Sequence, residues 1–572
     1  MPIRPTYPGV YVVEIPSGVH PIVGVSTSDT AFIDFFERGP INKAVRIHNF
    51  GDFVRNFGGL DTRSEASYAI QQFFLNGGTS GWVVRLGTDD MIPASYTLPG
   101  GSPLHDTLTV SAANPGAWAN SPTDYLQVGV DWNTRPQPND PYQHDPHHDL
   151  FNLVVREVVR VKGSKRPQVV NTEIYRNLTM DKLDPNTYAV DNVNNLSALI
   201  QLTDMGPGDR PMYTSNDAIG PVNTASVVDG ADGFLNLVGG YDGGLLDVDG
   251  TVLEPTAFAN AIANEQNGTG ALYALDRIAP EIFNILCIPA TAKLDIGSMT
   301  QVITAAENYC AKKRAFLIVD LPPSTPSQNP NSPVKTFVNT PDDMVQWMND
   351  FESQDLRHTN AAIYYPQLQI FDPLNGNRPR EVGASGTLAG IYARTDATRG
   401  VWKAPAGTEA QLVGASLRLQ LTDDENGDLN PLGINVLRNF PIFGNVSWGA
   451  RTLFGADQQT SEWKYIPVRR TALFLEESLY EGLKWVVFEP NDEPLWAQIR
   501  LNVGAFMQNL FRQGAFQGQT PRDAYLVKCD SETTTQNDID LGIVNILVGF
   551  APLKPAEFVI IQIQQLAGQI QV

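Results

Sequence analysis

The chain has 572 residues, of which 42% are apolar and 18% charged, proportions typical of folded proteins with substantial cores. Its net charge of -22 argues against a surface that binds nucleic acid, because neutralising phosphates requires an excess of lysine and arginine. Three cysteines without C-x-x-C spacing, no signal-peptide pattern and no apolar run of 18 residues exclude a disulfide framework and predict neither a cleaved leader nor membrane insertion.

The N-terminal part predicts an arm followed by a compact α/β segment. An alternating apolar run at 10–15, flanked by prolines, is typical of an edge strand, so residues 1–20 are expected to form an N-terminal arm. Residues 21–90 are expected to contain strands and one helix, in the order 31–35, 67–75 (helix) and 82–86.

The middle of the chain changes character twice. Residues 91–235 are rich in proline, asparagine, aspartate and glycine and carry short β-type runs, which favours an inserted β-rich outer domain. Residues 275–370 alternate strands and helices in βαβαβ order, which favours a partly parallel sheet. We place this unit in a middle α/β domain spanning 236–379.

The C-terminal part predicts two helices and then three strands. Helical periodicity covers 470–487 and 494–513, and Asn491 or Asp492 is expected to cap the second helix. Strands are expected at 524–529, 540–550 and 558–563. The last of these lies almost at the chain end and has no evident neighbour to accept its backbone hydrogen bonds.

Four stretches contain residue types found in active or metal sites, and each has a simpler interpretation. The histidine-rich run 144–149 is interrupted and flanked by prolines, and the acidic run 423–428 lacks the glycine and glutamate of a calcium loop. The run 239–244 lacks both phosphate-binding patterns, and 383–387 lacks the final glycine of a nucleophile elbow. Although catalytic residues can be scattered along a chain, the sequence predicts no enzyme, no cofactor and no metal site.

Nine short motifs are spread along the chain. They are YPGVYV at 7–12, GVSTS at 24–28, FFLNGG at 73–78, LVGGYDG at 237–243, AGIYARTD at 389–396, RGVWKAP at 399–405, GIN at 433–435, WGARTL at 448–453 and APLKPAEF at 551–558. Taken together, they resemble the contractile tail sheath family of bacteriophages and phage-tail-like injection systems. The set is specific in combination, and the resemblance covers about 1–90 and 235–572 but not the inserted region.

The resemblance implies a structural protein that polymerises as a helical sleeve of hexameric rings around an inner tube protein. Such a sleeve contacts baseplate and terminal cap proteins, and its contraction drives the tube through a target envelope without a cofactor. Assembly in a bacterial cytoplasm, as part of a phage tail or a related particle, is also implied.

The corresponding fold is an α+β multidomain protein whose C-terminal α/β domain is completed by exchanged terminal strands. An inner domain is expected to combine 21–90 with 380–565, and 566–572 is expected to form a C-terminal arm.

We expect unpaired strands at both ends of the chain to add to sheets of neighbouring subunits, because a filament needs a contact that does not close on itself. The residues expected to exchange are Val10, Tyr11, Val12, Val13, Ile15, Phe558, Val559, Ile560, Ile561 and Ile563.

Basic residues near the start of the first C-terminal helix are candidates for tube contact, with intramolecular ion pairs as the alternative. They are Arg451, Lys464, Arg469 and Arg470. A second polar group is expected to be a buried structural network: Arg394, Asp396, Arg399 and Trp402.

Two other classes of function remain open at this point. One is an enzyme on the 275–370 unit, with a pocket near Asp320 or Tyr365 at the strand ends. The other is a non-contractile surface protein that uses the β-rich insert. The sequence does not distinguish a phage from a bacteriocin or an injection system.

Overall fold

A computed structural model describes residues 20–101, 104–132, 134–135, 150–160, 167–206, 208–214, 233–247, 249–264, 268–329 and 332–562. The predicted N-terminal strand, the histidine-rich run and Ile563 lie outside these residues. The strands are β1 (Thr30–Asp34), β2 (Ala44–Ile47), β3 (Gly81–Arg85), β4 (Ser95–Gly100), β5 (His105–Ala112), β6 (Asp124–Asp131), β7 (Phe151–Val159), β8 (Gln168–Leu178), β9 (Ile200–Asp204), β10 (Leu235–Asn236), β11 (Ile285–Cys287), β12 (Phe316–Val319), β13 (Ala361–Tyr365), β14 (Leu368–Asp372), β15 (Arg378–Val382), β16 (Ser416–Leu417), β17 (Asn435–Phe440), β18 (Gly444–Ser447), β19 (Tyr525–Lys528) and β20 (Leu547–Phe550).

The α-helices are α1 (Phe50–Phe57), α2 (Glu65–Leu75), α3 (Ala189–Leu196), α4 (Pro255–Ile262), α5 (Ile296–Lys313), α6 (Pro341–Ser353), α7 (Ser385–Arg399), α8 (Asp423–Leu429), α9 (Ile466–Gly482), α10 (Glu493–Arg512), α11 (Pro521–Ala524) and α12 (Gln536–Asp540). Short 3-10 helices lie at Ala117–Ala119, Ala271–Ile278, Pro289–Lys293, Pro373–Asn375, Asn430–Leu432 and Lys484–Val486. None of the helices in these described ranges combines the length and the apolar content needed to cross a membrane.

The body of the subunit is an eight-stranded sheet in the order β18-β17-β13-β12-β11-β1-β3-β2. Its six central strands are parallel, and the two edge strands, β18 and β2, run antiparallel to their neighbours. Because β1 lies between β11 and β3, strands from 21–90 and from 275–370 share one sheet, although the sequence suggested separate domains for them. The strand order and the helices together make this a mixed α/β protein with several sheets.

The two faces of this sheet carry different hydrophobic cores. Leu317 and Val319 of β12 face a core formed with α4, α5 and α6. Phe316 and Ile318 of the same strand face the opposite core, formed with α1, α2 and α7. Successive side chains of a strand point to opposite faces, so burial of the whole strand requires helices on both sides of the sheet.

The described part of 91–235 is β-rich and has a core of its own. It contains the antiparallel sheets β4-β5-β9 and β10-β6-β7-β8. Arg38 from the body reaches this region, and its Nη1 lies 2.5 Å from Glu157 Oε1 on β7. The ion pair is largely buried, so the two parts of the chain are in direct contact there.

Helices α2 and α7 pack unusually closely because of two glycines. A Cβ at Gly386 would lie 2.1 Å from the carbonyl oxygen of Ala69, and one at Gly390 would lie 2.6 Å from that of Phe73. Only a residue without a side chain allows backbones to approach to this extent. Gly390 thus places the start of the AGIYARTD motif at this helix contact, and together with Gly386 it sets the distance between α2 and α7.

Candidate assembly surface

The C-terminal module consists of α9, α10 and the small sheet β19–β20, which share one hydrophobic core that includes Leu475, Ile499 and Val503. Helix α10 begins as predicted, with the Asp492 carboxylate accepting a hydrogen bond from the N–H of Leu495. Helix α9 begins at Ile466, four residues earlier than predicted. Pro467 lies in its first turn, where a proline is compatible with a helix. The predicted end of that helix is also shifted, since 484–486 form a separate 3-10 turn.

Strands β19 and β20 form an antiparallel pair that pairs with no further strand in the described chain. The prediction for 524–529 is confirmed, whereas 540–550 contains only a short strand at its end. Asp540 is instead the last residue of α12, which is stabilised by reciprocal hydrogen bonds between Thr535 and Asp538. The threonine and the acidic residue three positions later are a helix-start signal that the sequence interpretation missed.

The outer edges of the β19–β20 pair therefore have no strand partner among the described residues. A two-stranded sheet is marginal by itself, and open edges of this kind readily accept a further strand.

The segment after β20 leaves the module and ends in a row of exposed apolar residues. Its last backbone contacts with the module are the hydrogen bond from Gln517 N–H to Ala551 O and a bridge between Phe516 and Pro552. Large apolar side chains then follow in a row, with exposed fractions of 73% to 84%: Phe558, Val559, Ile560 and Ile561. Within the described residues 558–562 there is no strand, so the strand predicted at 558–563 is unpaired in this single subunit.

Glu557, immediately before the exposed tail, is held by three residues of the body. Arg451 donates to both carboxylate oxygens, from Nε at 2.6 Å and from Nη2 at 2.9 Å. Asn430 and Tyr465 each donate one further hydrogen bond at 3.1 Å. Burial alone would raise the pKa of Glu557, but the hydrogen bonds from Arg451 and Asn430 outweigh it and hold the pKa below its usual range. Glu557 is therefore charged near neutral pH.

Two of the four candidate tube-contact residues are buried inside the subunit. The side chains of Arg451 and Arg470 are 1% and 3% exposed, and both are consumed by intramolecular ion pairs. Lys464 pairs with Asp457 at 2.6 Å, but its side chain remains 26% exposed. Arg469 donates to Asn360 at 2.7 Å and is also mostly buried. Intramolecular pairing, the alternative raised from the sequence, describes the two buried arginines because an unpaired buried guanidinium would be very costly.

The expected polar network at 394–402 is only partly buried. Asp396 forms a bidentate ion pair with Arg470 on α9, with distances of 2.6 and 3.0 Å and side-chain exposures of 4% and 3%. Arg394 donates to backbone carbonyls, and Trp402 is partly buried against the C-terminal core. Arg399, by contrast, forms a surface pair with Glu409, so the prediction of burial was wrong for that residue.

The Asp396–Arg470 pair links the body to the C-terminal module. Burial would lower the pKa of Arg470, but Asp396 outweighs this effect and raises it. Arg470 also donates to the carbonyl of Thr27, so three distant parts of the chain meet at one guanidinium.

The other stretches singled out from the sequence have structural roles. The acidic run forms α8 rather than a turn, and Thr422 and Glu425 cap its first turn. In the glycine-rich run, Asp242 pairs with Arg63 at 2.7 Å. Ser385 donates to the buried carboxylate of Asp320 at the start of α7. No group of three or more potential metal ligands occurs among the described residues.

Comparisons with known proteins agree with these features. The phage tail sheath C-terminal domain family matches residues 458–565, which include α9, α10, the β19–β20 pair and the start of the tail. A putative prophage major tail sheath protein of Pseudomonas aeruginosa is 27% identical over 45% of this chain and 59% of its own length. The tail sheath protein of Vibrio phage KVP40 is 30% identical over 33% of this chain and 26% of its own. The matches thus span less than two thirds of either relative.

Solved structures share the fold over nearly the whole chain. The sheath complex of an extracellular contractile injection system in its contracted state has a TM-score of 0.52 at 19% identity, covering 98% of both chains. A sheath tail protein from Listeria innocua has a TM-score of 0.54 at 14% identity, covering 93% of this chain and 96% of its own. The family model that matches the C-terminal part and both sequence relatives are thus of tail sheath proteins, and this chain shares the fold of solved sheath structures.

Proposed function

We propose that this chain is a sheath subunit that polymerises as a helical sleeve around an inner tube and contracts to drive that tube through a target envelope. The observation that carries the proposal is the apolar tail Phe558–Ile561, which leaves the subunit exposed and unpaired. Exposed apolar runs of this kind on a soluble protein mark interaction sites. The partners are other copies in hexameric rings, an inner tube protein, and baseplate and cap proteins. Assembly takes place in a bacterial cytoplasm, as part of a phage tail or a related particle.

The exposed tail and the open β19–β20 edges suggest how copies connect. A tail strand from one subunit adds to the two-stranded sheet of a neighbour, and the N-terminal residues 10–15 add in the same way. A six-residue strand forms about five backbone hydrogen bonds, each contributing roughly 1 kcal/mol net. Burying each of the four large apolar side chains contributes a further ~1.5–3 kcal/mol before the entropy of ordering is subtracted. The contact is heterologous, so it propagates into a filament rather than closing.

Contraction in this proposal is a switch between two packings of the same subunits. A preference of a few kcal/mol per subunit, multiplied over many copies, provides a large total driving force without nucleotide hydrolysis. Contact with the tube is proposed for Lys464 and Arg469, the two members of the predicted basic set that keep some exposure.

The experiment is an assembly assay on the full-length chain and two truncations, read by negative-stain microscopy and sedimentation. Full-length protein is expected to form long striated tubes, while deletion of 1–15 or of 558–572 leaves soluble subunits. The control is Phe371→Ser, which removes an apolar side chain of similar exposure (74%) from β14 and should leave the tubes intact. Normal tubes from both truncations would refute strand exchange, and discrete small particles from the full-length chain would refute the sheath assignment.

The polar groups at the carboxyl edge of the main sheet support the enzyme alternative less well than the exposed tail supports the sheath proposal. A cavity of about 330 Å³ lies there, beside Glu65, Lys293 and Arg380. Glu65 lies 3.2 Å from the Lys293 ammonium and 2.8 Å from the Arg380 guanidinium, so these charges stabilise one another. Asp320 is engaged by Ser385, as described above. Such internally paired groups favour a structural role over acid–base catalysis. The non-contractile surface protein differs from a sheath in the same micrographs, since it forms no striated tubes.

A further inference from the structure

The contact between Arg451 and Glu557 lies at the boundary between the folded subunit and its exposed tail. Upstream, Ala551 and Pro552 still bond to the module. From 553 to 562 the chain makes no backbone–backbone hydrogen bond, so the side chain of Glu557 provides the hydrogen-bonded attachment of this segment. Every described residue after it is exposed. The tail thus leaves the subunit at Glu557.

We propose that Arg451 and Glu557 form an anchor that fixes the point from which the exchanged strand leaves its subunit, and thereby sets the strand's reach and register in the neighbour. This inference rests on the proposed strand exchange and assigns positioning roles to two residues that do not themselves pair with the neighbour. It also explains why a glutamate directly precedes the apolar run in the motif at 551–558.

The arginine side of the anchor is held by the body as well as by the tail. Its side chain is 1% exposed, and Asn435 pins its backbone by accepting from the N–H of Arg451 and donating to its carbonyl, both at 2.7 Å. Nη1 donates to the carbonyl of Asn430 and to Asp457, both at 2.9 Å, which leaves Nε and Nη2 directed at the tail. A fixed guanidinium fork that receives a carboxylate in bidentate geometry defines both position and orientation.

The geometry gives the anchor a measurable length scale. If Glu557 were released, the next backbone-bonded point would be at Pro552; between them only half-buried side chains such as Leu553 and Pro555 would hold 553–557, and this segment would be able to join the free tail. Five extended residues add about 17 Å of reach. A one-residue slip in a strand turns every side chain to the opposite face, so such slack would allow several competing registers in the neighbour's sheet. The anchor prevents this and holds adjacent subunits at a defined spacing.

The first test measures tail mobility in full-length subunits dispersed at low concentration. Spin labels are attached to two introduced cysteines, Ala497→Cys in α10 and Val559→Cys in the tail. The three native cysteines are buried and should not react with the label. The parent should give a narrow distance distribution. Glu557→Gln, which removes the charge but not the shape, should broaden it by about 12 Å, the spread of a free five-residue segment. Glu557→Asp, which keeps the charge, should remain close to the parent.

The matched control is Glu409→Gln, which also removes a carboxylate paired with an arginine, but on the surface near α7. It should leave the distance distribution unchanged. A distribution for Glu557→Gln as narrow as that of the parent would overturn the anchor.

The second test measures the axial repeat of assembled tubes by electron microscopy. The parent and Glu409→Gln should give one repeat, whereas Glu557→Gln should give variable repeats or short, irregular tubes. If Glu557→Gln broadens the spin-label distances but its tubes keep the single axial repeat of the parent, the proposed role of the anchor in subunit spacing would be overturned. If the parent forms no tubes, the sheath proposal and the spacing role fail together, while the spin-label distances still decide whether Glu557 anchors the tail.

Discussion

Breaking the buried Asp396–Arg470 pair should destabilise the subunit strongly, whereas replacing both partners should not. We consider Asp396→Leu, Arg470→Met and the double variant. Each single change leaves a buried charge without its partner, at a cost of about 3–5 kcal/mol in the free energy of unfolding. The double variant leaves no charge, and apolar replacement of a buried pair is often neutral or better. We therefore expect a coupling energy of at least about 3 kcal/mol.

The assay is urea unfolding followed by tryptophan fluorescence, since Trp402 and several other tryptophans lie near α7 and the C-terminal module. Arg399→Met and Glu409→Leu provide the control cycle. That pair is at the same end of α7, but its side chains are 51% and 62% exposed. Surface pairs contribute under about 1 kcal/mol, so the control singles should change the unfolding midpoint only slightly.

Additive effects in the buried cycle would refute this reasoning. If the double variant lost as much stability as the two singles combined, the charges would not be stabilising one another. The cost would then arise from lost packing or from the hydrogen bond to Thr27. A double variant close to the parent, with two unstable singles, would confirm that the module is joined to the body by a desolvated ion pair.

Four further substitutions can be measured by the same unfolding assay. Gly390→Ala places a Cβ against α2 and should lower the free energy of unfolding by about 1–3 kcal/mol. Gly504→Ala in α10 places a Cβ in open space and should raise the free energy of unfolding by at most about 1 kcal/mol. Burial, with a contribution from a nearby aspartate, raises the pKa of Glu307 from 4.5 to about 9. Stability should therefore fall as pH rises from about 4.5 to about 9, and Glu307→Gln should remove that slope. Tyr392→Phe leaves the buried hydroxyl of Tyr364 without its 2.7 Å partner and should cost about 1–3 kcal/mol.

Local signals in the sequence predicted α10 and β19 of the C-terminal module, whereas the ends of α9 were shifted and α12 was missed. The apolar period, the Asp492 cap and the glycine after α10 are short-range features that act on the helix in which they occur. The division of the body into domains was less accessible. Whether β1 pairs with β11 or stays within its own segment is decided by long-range packing, and nothing in a strand's own alternation encodes its neighbour.

At the candidate site, too, local features could be predicted from the sequence and long-range partners could not. The exposed tail could be predicted, because an apolar alternating run near a chain end has few ways to be satisfied within the subunit. The partners of Arg451 and Arg470 could not, since Glu557 is 106 residues from Arg451 and Asp396 is 74 residues from Arg470. In an acidic chain a cluster of arginines suggests an acidic partner, but charge alone does not distinguish another protein from another part of the same chain.

These two ion pairs constrain how the proposed sheath could change shape. Arg470 joins α9 to α7, and Arg451 joins the tail root to the loop beside β18, so both connections are buried, charged and costly to separate. A transition that pulled the C-terminal module away from the body would have to expose these charges to solvent, or leave them buried without a partner, in every subunit. Movement about the tail beyond Glu557 requires no such loss, because the exposed residues there make no hydrogen bond to their own subunit's backbone. Under the proposed function, subunits should therefore move as rigid units connected by flexible exchanged strands.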